Sequence, residues 1–86
     1  MIVELSLYGA FREFVPQGRL ALDVANGATL ADLRRAVGEF ASANWPGFRP
    51  GLLSASAFAS EQAVLRDADA IPANGRVALL PPVSGG

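Results

Sequence analysis

The spacing of hydrophobic and polar residues predicts two strands in the first part of the chain. Residues 2–8 favour a strand because β-favouring hydrophobic residues are interspersed with polar ones. The alternation in residues 19–24 is strict, as expected for a strand with one buried face, and it places Leu20, Leu22 and Val24 together. Only a short helical turn and a Pro-Gln-Gly break separate the two segments, so we expect antiparallel neighbours.

One long helix is predicted to begin near Thr29. The sequence Thr-Leu-Ala-Asp at this point resembles a capping box, with Asp in place of the usual Glu. Hydrophobic residues then recur at helical spacing and form one stripe, at Leu30, Leu33, Val37, Phe40 and Ala41. We expect the charged residues off this stripe to face water, namely Arg34, Arg35 and Glu39.

The second half of the chain contains a loop and three further predicted strands. Proline and glycine indicate a loop at residues 44–51, where we expect Trp45 and Phe48 to cap the core rather than to bind a ligand. The remaining strands are predicted at residues 52–59, 62–65 and 76–80. The last of them follows an Asn-Gly turn and is apolar, which favours a position at the centre of the sheet.

This order of elements predicts an α+β fold, a mixed sheet of about five strands packed on one main helix. We expect one domain at residues 1–80, followed by a flexible, extended tail at residues 81–86.

Composition excludes several classes of function. The chain has 86 residues, a net charge of −1 at neutral pH, and neither cysteine nor histidine. It therefore lacks thiol nucleophiles, disulfides, Cys/His metal sites and the usual general base near neutral pH. The close carboxylates Asp67 and Asp69 are interpreted as part of a polar turn, so no metal site is expected.

Charge and hydropathy argue against nucleic-acid and membrane partners. The arginines are scattered and form no basic patch, so nucleic-acid binding is not expected. No apolar run approaches the ~20 residues that a membrane-spanning helix needs. The N-terminus has no basic segment before an apolar one, so we expect a cytoplasmic protein without a secretory signal.

The most informative motif is the C-terminal sequence Pro81-Pro82-Val83-Ser84-Gly85-Gly86. Proline has no N–H for a sheet ladder and holds φ fixed, so the last strand ends there and the chain continues extended. Glycine has no Cβ, so a diglycine end can enter a narrow channel. We therefore expect a tail that delivers the carboxylate of Gly86, already mature at this end, into another protein.

With this tail, the chain resembles the small, sulfur-carrying subunit of molybdopterin synthase, a ubiquitin-like β-grasp family. The resemblance extends over nearly the whole chain and includes the opening strand, the Arg-Glu segment at residues 10–13 and the helix that begins at Thr29. Its specific part is residues 76–86, because that family typically ends in Pro-Pro-Val-(Ser or Thr)-Gly-Gly.

The resemblance implies a carrier that is not an enzyme by itself and holds no cofactor. A ubiquitin-activator-like adenylyltransferase would join the Gly86 carboxylate to AMP from ATP, and a sulfur donor would convert it to a thiocarboxylate. The tail would then enter the large synthase subunit, in a heterotetramer, and give its sulfur to cyclic pyranopterin monophosphate.

The resemblance also suggests residues for the partner interface. Candidates are the exposed pair Arg12 and Glu13 and the sheet residues Leu79 and Leu80. Relatives often have aromatic residues where this chain has these two leucines. Alternation alone leaves open which of the two leucines faces outward.

Three alternative functions remain open at this point. The chain could carry sulfur for thiamin thiazole or another product, although those relatives commonly lack Pro-Pro before the diglycine. It could be a ubiquitin-like modifier attached to lysines of other proteins. Because it contains no lysine, it could not form chains through internal lysines. It could also be an interaction domain with an inert tail.

Overall fold

The computed structural model describes residues 1–82, which form one mixed sheet and, packed on it, one long helix. The strands are β1 (Ile2–Leu7), β2 (Arg19–Asp23), β3 (Ala57–Ala59), β4 (Val64–Leu65) and β5 (Arg76–Leu80). The helices are a 3₁₀ helix (Gly9–Glu13), α1 (Leu30–Asn44) and the short α2 (Pro50–Ser54). None of these helices is long and apolar enough to cross a bilayer.

The strand order across the sheet is β2-β1-β5-β3-β4. β1 is antiparallel to β2 and parallel to β5, and β3 is antiparallel to both β5 and β4. The predicted antiparallel pairing of the first two strands and the central position of the last strand are both confirmed. The chain's final strand thus has a hydrogen-bonded neighbour on each side.

The core lies between α1 and one face of the sheet. Its fully or almost fully buried side chains include Val3, Leu5, Leu7, Leu30, Leu33, Val37, Ala41, Phe58, Val77 and Leu79. The sheet contributes every second residue and α1 contributes the predicted stripe, of which Phe40 alone is only half-buried. Burying each large side chain contributes about 1.5–3 kcal/mol, so this interface is the main source of stability.

An aromatic cluster closes one end of the core. The ring of Phe14 stacks on that of Trp45, with centroids 5.0 Å apart and planes 3° from parallel. Phe11, Phe40 and Phe48 surround the indole at centroid distances of 6.4, 6.0 and 5.9 Å. Trp45 is only 6% exposed. The expectation that Trp45 and Phe48 cap the core is confirmed.

The start of α1 is fixed by the predicted capping box. The Asp32 backbone N–H donates to the Thr29 hydroxyl, and the Thr29 N–H donates to the Asp32 carboxylate at 3.0 Å. The pKa of Asp32 is below its ordinary value. The main cause is the hydrogen bond from the Thr29 backbone N–H, and the Thr29 hydroxyl and the Arg35 guanidinium lower the pKa further.

The predicted strand at residues 52–59 is wrong in its first half. Residues 50–54 form α2, and only Ala57–Ala59 join the sheet. Pro50 stands at the first turn of α2, where its missing N–H costs nothing, and the Ser54 hydroxyl donates to the Pro50 carbonyl. Proline and glycine, the first two residues of α2, are depleted in strands, so the start of this segment does not oppose the helical turn.

The expectation that Arg34 faces water is also wrong. Its side chain is only 22% exposed and donates to the carbonyls of Leu53 and Ser56 at 2.7 and 2.9 Å. It also pairs with Asp67 at 3.1 Å, and its guanidinium lies 4.9 Å from the centre of the Phe58 ring. Arg34 therefore ties α1 to the segment between α2 and β3. Arg35 and Glu39 are exposed, as expected.

Removing the Arg34 side chain should destabilise the folded state. We expect Arg34→Ala to lower the free energy of unfolding by about 2–3 kcal/mol, because charged hydrogen bonds to two backbone carbonyls are lost. Arg35→Ala, at an exposed neighbour in α1, is the matched control and should change stability by less than about 0.5 kcal/mol. Urea denaturation of both variants measures the difference. Equal losses would show that Arg34 is an ordinary surface residue.

The low pKa of Asp32 predicts a pH dependence of stability. Its folded-state pKa is depressed, so its contribution is present above the unfolded-state pKa and is lost as pH falls through the folded-state pKa. Asp32→Asn should therefore lower the melting temperature at neutral pH, and the difference from the wild type should shrink on acidification. Glu39→Gln, on an exposed part of the same helix, serves as the control. A difference that is constant with pH would contradict the assignment.

Candidate functional site

The candidate site is the C-terminal segment that begins where β5 ends. β5 is paired on both sides: its Leu79 lies opposite Leu7 of β1, and its Leu80 lies opposite Ala57 of β3. Its inward side chains Val77 and Leu79 are 3% and 0% exposed. Two hydrogen-bonded neighbours and two core side chains therefore fix the position and direction of the last strand.

The first residue after β5 is packed against the 3₁₀ helix. Pro81 is half-buried and Pro82 is exposed. A Cβ placed on Gly9 would lie 2.7 Å from Cγ of Pro81, which is closer than real Cβ atoms approach their neighbours. Gly9 also has a φ of +56°, which favours glycine. The absence of a side chain at Gly9 thus makes room for Pro81.

The rest of the predicted tail lies beyond this point. Of the residues assigned to it, Pro81 and Pro82 are within the described structure. The others, Val83, Ser84, Gly85 and the reactive Gly86, lie outside the described residues. Their assigned roles therefore stay predictions.

The structure decides between the two leucines that precede Pro81. Leu79 is 0% exposed and belongs to the core, so its assignment to a partner interface is wrong. Leu80 is half-buried and lies on the opposite face of β5. Successive residues in a strand point to opposite faces, and the core was on the side of Leu79. Leu80 remains the leucine available to a partner.

The face of the sheet opposite α1 is open and is lined by small side chains. Ser6 of β1, Ala78 of β5 and Ala59 of β3 form a shallow depression of about 500 Å³, with Tyr8 at one end. Charged residues of both signs stand around it: Glu4, Arg19, Glu61 and Arg76. Sequence reasoning missed this depression, although small residues alternate there with buried large ones.

The Arg-Glu pair of the 3₁₀ helix lies close to the start of the tail. Arg12 and Glu13 are both exposed, whereas Phe11 between Ala10 and Arg12 is buried. The Arg12 side chain passes over Gly18, where a Cβ would lie 3.1 Å from its Nε. The same helix begins at Gly9, which contacts Pro81, so this exposed pair lies on the side of the molecule where Pro81 follows β5.

The described residues offer no alternative site for metal chemistry. Within residues 1–82 no three acidic side chains cluster as they would around a metal ion. Asp67 pairs with Arg34, and the Asp69 carboxylate accepts the Arg66 backbone N–H at 2.7 Å. The Asp69 N–H donates to the Arg66 carbonyl, so Asp69 closes the predicted polar turn, whereas the Asp67 carboxylate binds α1 through Arg34.

Comparison with known proteins gives independent evidence about the family and the fold of this chain. The sequence model of the ThiS family matches residues 5–86. A molybdopterin synthase sulfur carrier subunit from Synechococcus elongatus is 36% identical over 86 residues, covering 98% of this chain and 96% of that protein. The crystal structure of SAMP1 from Haloferax volcanii covers 100% of both chains with a TM-score of 0.70 at 24% identity. This last likeness is one of fold and agrees with the expected ubiquitin-like β-grasp.

The contact between Gly9 and Pro81 gives a test of how the tail is directed. We expect Gly27→Ala to cost roughly 1–2 kcal/mol because its φ is positive, and Gly9→Ala to cost more, because its Cβ would also meet Pro81. Gly27 has open space around it, so it is a matched control for strain without contact. Only Gly9→Ala should also shift the NMR signals of Leu80, Pro81 and Pro82. Equal spectra for residues 80–82 in the two variants would exclude this role.

Proposed function

The chain belongs to the ThiS family, and from this premise we propose that it is a sulfur carrier for molybdopterin synthesis. In this proposal Gly86 is first adenylated and then thiocarboxylated, and the sulfur is passed to cyclic pyranopterin monophosphate. The chain acts as a subunit of a transferase and is not catalytic alone. The observation that carries the proposal is the family match, which extends through the diglycine end.

The chemistry needs a carboxylate and little else from this chain. One carboxylate oxygen of Gly86 attacks the α-phosphorus of ATP, and pyrophosphate leaves. The resulting acyl-adenylate is an activated electrophile, so a donor that supplies sulfur at the oxidation level of sulfide can attack its carbonyl carbon, and AMP leaves. The product thiocarboxylate is anionic at neutral pH, and its sulfur is the nucleophile, as the thiolate is for cysteine.

The composition of the chain fits this division of labour. There is no histidine to act as a general base and no cysteine to compete for the activated carbonyl. The chain has no lysine, so the acyl-adenylate has no internal ε-amine to attack it. Acid–base groups and ATP are accordingly assigned to the partners. We place the cycle in the cytoplasm, where ATP is available.

The fold supports delivery of the tail into a partner. β5 is held at the centre of the sheet, and Pro81 is seated against Gly9. The five residues that follow Pro81 reach at most about 17 Å from this anchor, at ~3.3 Å per residue. That length is enough to enter a deep active site while the domain stays outside it. The proposed recipients are a ubiquitin-activator-like adenylyltransferase and the large synthase subunit.

We assign partner docking to the open face of the sheet beside the tail. Leu80, Tyr8 and the alanine-lined depression supply apolar surface, and Tyr8 is 47% exposed. The charged rim can pair with complementary charges and so orient the partner. Arg12 and Glu13 lie near the tail and extend this surface. The proposed complex with the large subunit is a heterotetramer, in which each copy of this chain would dock through this face and supply one tail.

The proposal predicts a specific change in mass. Incubation with ATP, an adenylating partner and a sulfur donor should replace one oxygen of the intact protein by sulfur. Deleting Gly86 should abolish this change and leave the melting temperature unaltered, because the domain is predicted to end at residue 80. Glu39→Gln, which is remote from the tail, should be charged normally. Full charging of the deletion variant would refute the role of Gly86.

A second measurement distinguishes the acceptors. Affinity capture with the charged protein should recover a pterin-binding large subunit. Recovery of a thiazole synthase instead would assign the carrier to thiamin synthesis. Covalent ladders on cellular proteins would indicate a protein modifier, and a chain that no activating enzyme charges would be an interaction domain.

A further inference from the structure

β2 is an edge strand with unused hydrogen-bonding groups. Within residues 1–82 it pairs with β1 alone. The Leu7 N–H donates to the Gly18 carbonyl and the Val24 N–H donates to the Met1 carbonyl, at 2.8 and 2.9 Å. Backbone hydrogen bonds alternate along an antiparallel strand, so the N–H and C=O groups of Leu20 and Leu22 also point toward β1. The backbone groups of Arg19, Ala21 and Asp23 therefore point away from the sheet.

The sequence of β2 is complementary to itself when two copies run antiparallel. β2 reads Arg-Leu-Ala-Leu-Asp. If two copies pair about a two-fold axis at Ala21, Arg19 lies opposite Asp23 of the second copy. In the same register Leu20 lies opposite Leu22. The outward-facing backbone groups of one strand then meet those of the other, since Ala21 is at the centre of both.

The charges favour this register and disfavour the parallel one. Native edge strands commonly carry charges that repel a second strand. Here the two ends carry opposite charges, so antiparallel pairing brings unlike charges together and parallel pairing brings like charges together. The Arg19 and Asp23 side chains are 75% and 77% exposed and are accessible to a second copy. Leu20 and Leu22 are half-buried and would lose further apolar surface to water.

We propose that the chain self-associates through β2, so that two five-stranded sheets join into one continuous sheet. This inference goes beyond the carrier function and does not depend on it. β5 lies two strands from β2, about 10 Å away, so pairing leaves the tail accessible. In an antiparallel dimer the two copies of β5 also run in opposite directions, and the two tails leave at opposite ends of the joined sheet.

The expected association is weak. One strand pair buries much less than the ~1,600 Å² of a standard stable interface, so dissociation constants in the high micromolar range or above are expected. The charged pairs are exposed, so added salt should weaken the dimer further. A dimer of this strength would respond to the local concentration of the protein.

Hydrogen exchange locates the interface at single residues. In a concentration series without partners, sedimentation velocity should show a monomer–dimer equilibrium. Exchange of the Ala21 amide should slow as concentration rises, whereas the Leu20 and Leu22 amides, already bonded to β1, should be slow throughout. Ala21→Pro removes the outward-facing N–H and should abolish the dimer. A wild-type protein that stays monomeric, or an Ala21 amide indifferent to concentration, overturns the proposal.

Exchanging the charges at Arg19 and Asp23 tests the interface even if a single variant is less stable than the wild type. Arg19→Asp and Asp23→Arg each place like charges opposite one another, and each should weaken self-association about tenfold. A mixture of the two variants restores opposite charges at both ends, so it should form heterodimers with near wild-type affinity. Thermal melts confirm that each variant is folded. If the mixture associates no better than either variant alone, β2 is not the interface.

Discussion

The central position of β5 is the constraint on which the rest of this structure depends. The strand is hydrogen-bonded to β1 on one side and to β3 on the other, and alternate side chains enter the core. A strand held in this way cannot shift by one residue without turning its buried side chains toward water. The point at which the C-terminal segment leaves the domain is therefore as fixed as the core itself.

That constraint explains how a small domain can carry a reactive group without any catalytic residue. The core, α1 and the capping box hold the sheet, the sheet holds β5, and Gly9 leaves room for Pro81. In the proposed cycle the chemical steps belong to partners, and the domain supplies a fixed strand from which the C-terminal segment continues. The sequence contains neither cysteine nor histidine, which fits the proposal that partners supply the acid–base groups.

The errors of sequence reasoning have two causes, a contact with a distant segment and an ambiguous local pattern. Arg34 lies off the hydrophobic stripe of α1, and a helical pattern alone assigns such a residue to solvent. In the structure it reaches the carbonyls of Leu53 and Ser56, which the turn after α2 brings within range. Residues 52–54 were assigned to a strand because their apolar character fits either a strand or a helix, and the preceding Pro50 decided the outcome. Arg34 therefore depends on a contact between segments far apart in sequence, whereas residues 52–54 depend on a nearby proline at the start of a helix.

The sequence by itself determined the elements with strong local signals, and it predicted the chemistry of the tail. Alternation defined β1 and β2, the stripe and capping box defined α1, and Pro-Pro-Val-Ser-Gly-Gly predicted a carrier end. Only the tertiary structure decided that Leu80 rather than Leu79 faces outward, that Pro81 rests on Gly9, and that β2 is left at an edge. Local signals act through the backbone within a few residues. The face a side chain takes and the strand left unpaired depend instead on which segments pack together, and that is a property of the whole fold.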